Sequence, residues 1–152
     1  MPYKHSMIIQ IKRFIQAIKQ RTYGRLLSTN LPVYLRKNVQ VNVVSSETVT
    51  FNEFTNALSN PVILGIIAFH PLIGNILIDL GSQVGFSFID RMLGGPGEAM
   101  DKLRDFSEIE MGILEKLMTI STQLLRECVR IGPILHESVR ICRTFAAVPT
   151  SS

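Results

Sequence analysis

A single domain mixing α-helices and β-strands is what this sequence predicts, and three observations predict it. Apolar residues recur at helical spacing over residues 7–18, 26–37, 83–93 and 109–129. Two short apolar runs, 62–69 and 76–80, are rich in Ile, Leu and Val and too short for typical helices. The two kinds of segment interleave, which is the signature of an α/β (mixed α and β) class. The 152 residues leave room for one domain. With 46% hydrophobic and 18% charged residues, the chain can bury a core that a disordered composition could not.

The elements follow in chain order. Met7, Ile8, Ile11, Phe14, Ile15 and Ile18 alternate with Lys12, Gln16 and Lys19 as an amphipathic helix, which Gly24 interrupts. A second helical pattern covers residues 26–37, and Pro32 inside it predicts a kink or a restart near Leu31. Val39, Val41 and Val43 alternate with Gln40 and Asn42 as a half-buried strand. Thr50 and Glu53 form a capping box for a short helix through Phe51, Phe54, Ala57 and Leu58. Residues 62–69 and 76–80 read as two strands of a hairpin, with His70 in the turn between them. Ser82 is placed to cap a helix over 83–93, with Val84, Phe88, Ile89 and Met92 on its apolar side. Ser107 and Glu110 form a second capping box, opening the longest helix through Ile109, Ile113, Leu114, Leu117, Ile120, Leu124 and Leu125. Gly132-Pro133 stops it, and the tail 149–152 is expected to fray.

Composition narrows the function. Two cysteines, Cys128 and Cys142, make no disulfide framework and no metal cluster, so free thiols in a reducing compartment are expected. His5, His70 and His136 are scattered away from Cys and carboxylate partners. Residues 7–18 lack the clean apolar centre of an export signal, and the longest uncharged apolar run is far below the ~20 residues of a membrane span. Residues 1–46 hold eight basic residues and no acid, while the remainder carries eight bases against twelve acids. That front could meet an acidic partner or an anionic surface. A solvated helix face is the simpler reading of that front, and no nucleic-acid partner is expected.

The sharpest local feature is the run Leu93-Gly94-Gly95-Pro96-Gly97-Glu98. Three glycines permit positive φ and one proline fixes φ, giving a side-chain-poor ridge that another protein can approach closely. It follows a helix instead of opening one, and it lacks the Lys-Ser/Thr of a phosphate-binding loop. No serine sits in a nucleophile elbow, and nothing assembles a nucleophile, base and orienting group. The sequence therefore predicts a protein-interaction module, with no catalytic residue, no metal site and no cofactor.

Several stretches carry a resemblance. These are Arg25-Leu-Leu-Ser-Thr, Tyr34-Leu-Arg, residues 60–75, Phe86-Ser-Phe-Ile-Asp-Arg-Met-Leu-Gly-Gly-Pro-Gly-Glu98 and Phe106-Ser-Glu-Ile-Glu110. Together they resemble the middle domain of the flagellar motor switch protein FliM, over about residues 23–129. The resemblance implies a CheC-like α/β/α layered domain with pseudo-two-fold halves. It implies a structural subunit of the cytoplasmic motor ring (C-ring), peripheral to the inner membrane, with a part in torque transmission and in switching rotation. It also implies a FliG contact through Gly94, Gly95, Pro96 and Gly97, with Asp90 and Arg91 near the same surface, and contacts with neighbouring FliM subunits. The family's segments for CheY and FliN binding have no counterpart in this sequence. The second pseudo-repeat of strands has none either, so one pseudo-repeat with long helices is expected. The units are then 1–22, a basic amphipathic helix; 23–148, a FliM middle-like domain; and 149–152, the tail.

Two other functions compete. A CheC- or FliY-like phosphatase of phosphorylated CheY needs an acid or serine, then Glu, then Asn on one helical face. Counting from Ser107, this chain has Met111 and Leu114 at the second and third places. A basic surface-binding module would use Lys12, Arg13, Lys19, Arg21 and Arg25.

Overall fold

The computed structural model describes residue 16 and residues 22–58, 61–70, 75–129 and 136–142. The rest of the segment 7–18, the turn residues 71–74, the stop at 132–133, His5 and the tail 149–152 lie outside the described residues. The described elements are α1 (Thr22–Leu35), α2 (Phe51–Ala57), β1 (Leu64–His70), β2 (Asn75–Asp79), α3 (Ser82–Met92), α4 (Glu108–Val129) and β3 (His136–Cys142).

Helix α1 runs across both expected breaks. Gly24 lies inside it and so does Pro32, and no restart occurs near Leu31. Gly24, Leu27, Leu31 and Leu35 form its buried stripe, at the three- and four-residue steps of a helix face. That packing overrides the proline penalty, as tertiary burial commonly does.

The expected strand at Val39–Val43 is not a strand. Residues 38–50 join no ladder. The alternation in burial is nevertheless real, since Val39 and Val41 pack against the core while Gln40 and Asn42 are exposed. The segment is a strap along α1. Val41 N–H donates to Ser28 Oγ at 2.8 Å, and Ser28 Oγ donates to Gly24 O at 2.8 Å. A Cβ on Gly24 would stand 2.8 Å from Val41 O, so the strap lies closer to α1 than any side chain at 24 permits.

Among the described residues the sheet has three strands in the order β2-β1-β3. The hairpin β1–β2 is antiparallel as expected, with Leu64 opposite Asp79 and Ala68 opposite Asn75. The other neighbour of β1 is β3, also antiparallel, which sequence reading missed. His70 belongs to β1 and not to the turn, and its register partner is His136. Leu64 and Ile67 point to opposite faces of β1 and both are fully buried, so both faces of the central strand are covered.

Both capping boxes form. Thr50 N–H donates to Glu53 Oε2 at 2.7 Å while Glu53 N–H donates to Thr50 Oγ1 at 3.3 Å. Ser107 N–H donates to Glu110 Oε2 at 2.8 Å while Glu110 N–H donates to Ser107 Oγ at 3.3 Å. Ile109, expected on the apolar face of α4, is 78% exposed. Leu114, Leu117, Leu124 and Leu125 are buried as expected, and Met111 and Met118 join them. The N-cap of α3 is Gly81, with no side-chain cap bond. Ser82 is the first helical residue, and its hydroxyl donates to Pro61 O. The buried face of α3 is Ser82, Gly85, Phe86 and Ile89, and Val84 is on the exposed side.

Candidate functional site: the glycine loop after α3

Helix α3 ends in a complete Schellman motif. Leu93 is the C-cap and Gly94 follows in the left-handed region at φ 97°. Gly95 N–H donates to Asp90 O at 2.8 Å and Gly94 N–H donates to Arg91 O at 3.1 Å, which satisfies two terminal carbonyls. Gly97 returns to positive φ, at 77°. Two glycines are thus required by backbone sign alone.

Asp90 and Arg91 close the loop from below. The Asp90 carboxylate accepts Gly97 N–H at 2.7 Å. Arg91 Nη1–H donates to Gly95 O at 3.1 Å. The same guanidinium reaches α1, with Nε–H on Leu35 O at 2.9 Å and Nη2–H on Arg36 O at 2.5 Å. Arg36 is the one non-glycine residue at positive φ among the described residues, and it ends α1. A Cβ on Gly95 would meet the Asp90 carboxylate, and a Cβ on Gly97 would meet the Arg91 stem at 2.5 Å. The loop therefore rests on these two side chains.

Its outer surface is open. Leu93 is 69% exposed, and Gly94, Pro96 and Glu98 are exposed with it. The sequence-predicted residues therefore divide. Gly94 and Pro96 face outward, Gly95 and Gly97 are half-buried, and Asp90 and Arg91 are engaged with the protein's own backbone. Leu93 is an apolar side chain on this ridge that sequence reading did not single out as a contact. Its signal was its place at the last turn of α3, off the helix's buried face.

The segment after the loop is fastened to α3. Gln83 Nε2 donates to Met100 O at 2.9 Å and Met100 N–H donates to Gln83 Oε1 at 3.0 Å. Phe86 and Phe106 stack at 4.0 Å between centroids, and the Arg104 guanidinium lies 4.9 Å from the Phe86 centroid. Arg104 also holds Glu110 through two bonds, Nη1 to Oε2 at 2.9 Å and Nη2 to Oε1 at 2.7 Å. The Arg104 bonds, opposed by partial burial and helped by Ser107, hold the Glu110 carboxyl down to about 2.

Away from the loop, a concavity of about 370 Å³ opens between α1, β2 and α4, lined by Leu27, Leu31, Ile76, Ile78, Leu117 and Leu125 among others. Its polar members are Tyr23 and Ser121, and Tyr23 Oη donates to Ser121 O at 3.0 Å. Burial pushes the Tyr23 phenol up to about 12. Ser107, Met111 and Leu114, the places of the phosphatase pattern, do not form a polar surface. Ser107 is spent as a cap, while Met111 and Leu114 are buried in the core.

Comparison with known proteins bears on this domain directly. The family described as "Flagellar motor switch protein FliM" matches residues 10–144. FliM of Treponema pallidum (strain Nichols) is 33% identical over 111 residues, 73% of this chain and 32% of that protein. The chain spans about a third of the length of the curated relatives it matches. A chain in the crystal structure of the FliG–FliM complex from H. pylori superposes with a TM-score of 0.81 at 25% identity, covering 94% of this chain and 78% of that one. The crystal structure of the FliM middle domain from H. pylori superposes with a TM-score of 0.77 at 22% identity, over 94% and 76% of the two chains, a likeness of fold. By sequence over most of its length and by fold, this chain belongs to the flagellar motor switch protein FliM family, as a FliM middle domain.

Proposed function

We propose that this chain is a structural subunit of the bacterial flagellar motor switch that docks FliG through the ridge Gly94-Gly95-Pro96-Gly97. The observation that carries the reading is the loop itself, exposed on its outer side and clamped on its inner side. A backbone ridge held in one shape loses little conformational entropy when a partner covers it. That suits a joint that must pass torque and rotational switching from one ring component to the next. The H. pylori complex supports the choice of partner, because it joins FliG to a FliM whose fold this chain shares. On this reading the protein sits in the cytoplasmic ring beside its sibling subunits, peripheral to the inner membrane, and does no catalysis.

The test needs a substitution that changes the ridge without moving its supports. Gly95→Asp is unsuitable, since it would displace the Asp90 carboxylate. Pro96 is exposed and Pro96→Arg places a bulky charge on the outer surface. In titration calorimetry against purified cognate FliG, Pro96→Arg is expected to weaken binding by at least about tenfold. Its thermal midpoint should match the parent. Undiminished binding by folded Pro96→Arg protein would sink the ridge as the contact.

A further inference from the structure

We infer that Arg91 acts as a positioning residue, tying the docking ridge to the C-terminal end of α1, and does not itself contact FliG; this rests on the docking reading above. Three of its nitrogens are committed to backbone carbonyls. One bond goes to Gly95 O in the ridge, and two go to Leu35 O and Arg36 O at the end of α1. Leu35 closes the last turn of α1 and Arg36 directly follows it, where a helix leaves its acceptors without intrahelical donors and carries partial negative charge. No basic residue occupies the last turn of α1. Arg91 supplies the missing cation from a different helix. Its stem is also structural, because the left-handed Gly97 lies directly against Cγ and Cδ. The head of Arg91 therefore fixes Gly95, the stem supports Gly97, and the far side of the guanidinium anchors both to α1.

A planar guanidinium can serve three carbonyls in fixed directions, which an ammonium cannot. Arg91 thus links the end of α1 to the ridge directly, through three hydrogen bonds. Asp90 assists from the same helix turn by holding Gly97 N–H.

The experiment compares the full chain with Arg91→Ala and Arg91→Lys. Amide exchange is read by NMR at Gly94, Gly95 and Gly97 and in α4, and affinity for cognate FliG is read by calorimetry. In Arg91→Ala, exchange at the ridge amides is expected to rise by about tenfold or more while α4 keeps its protection. Affinity should fall by about tenfold, with Arg91→Lys intermediate in both readouts. Lost affinity with unchanged ridge exchange would make Arg91 a direct contact and overturn the inference. A loosened ridge with full affinity would overturn it equally. If Arg91→Ala does not fold, Arg91→Lys gives the same comparison. A parent chain with no affinity for FliG would defeat the docking reading, while the exchange pattern would still report whether Arg91 ties ridge to helix.

Discussion

Arg104 serves three neighbours at once, and the arrangement has a pH signature. Its guanidinium lies over Phe86, donates to Asp105 O at 2.9 Å and grips Glu110 with both terminal nitrogens. Glu110 also accepts the Ser107 amide that opens α4. The carboxylate is thus favoured in the folded state, at about 2 against an ordinary value of 4.5. A group depressed on folding contributes stability that is present above its unfolded value and lost as pH falls through the folded one. The contribution should therefore fade between about pH 4.5 and pH 2. The Glu110 side chain is 15% exposed, but Arg104 is 52% exposed and solvent screens the pair, so Glu110 contributes about 1 kcal/mol. Glu110→Gln is expected to lower stability by about that amount at pH 7 and by almost nothing near pH 2. Urea unfolding at a series of pH values checks this. A constant difference across the series would contradict the assignment.

Among the elements, the contact between α1 and its strap gives the sharpest expectation. Replacing a helical glycine by alanine ordinarily stabilises a helix by about 1 kcal/mol. At Gly24 the new methyl would meet Val41 O, a backbone atom that cannot rotate away. Gly24→Ala should therefore destabilise the domain by about 1–3 kcal/mol in denaturant unfolding, the reverse of the propensity effect. The same contact explains what sequence could and could not reveal. Val39, Val41 and Val43 alternate because one side packs, and alternation alone does not say whether a ladder or a helix lies beside the backbone. Gly24 and Pro32 carry local penalties that the buried stripe Leu27, Leu31 and Leu35 outweighs. The capping boxes were legible because both partners lie within four residues of each other. The hairpin was legible because its strands adjoin in sequence. Strand β3 was not, because Val139 and Ile141 are a short alternation and the partner strand is far away in the chain. The glycine ridge could be read from composition, but its supports could not. Asp90 and Arg91 read as surface residues, and their bonds to Gly97, Gly95, Leu35 and Arg36 emerge only when α1 and α3 meet.

For the whole molecule, the basic front and the proposed docking ridge are separate in sequence. The first 46 residues carry eight bases and no acid, whereas the ridge is made of glycine, proline and an exposed leucine. An association carried by the basic front would weaken steeply with added salt. Docking on the ridge should change by less than about threefold between 0.05 and 0.5 M NaCl, because it forms few exposed ion pairs. Calorimetry across that salt range checks this, and a steep salt slope would transfer the contact to the basic front. The order β2-β1-β3 has a consequence for biosynthesis. The hairpin can close soon after residues 64–79 leave the ribosome, but the opposite side of β1 must wait for residues 136–142. Throughout that interval a central, apolar strand has half its hydrogen-bonding groups unsatisfied, which invites nascent chains to pair with one another. Slow translation between α3 and β3 would prolong that exposure, so yield of soluble protein should be most sensitive to elongation rate in that part of the message.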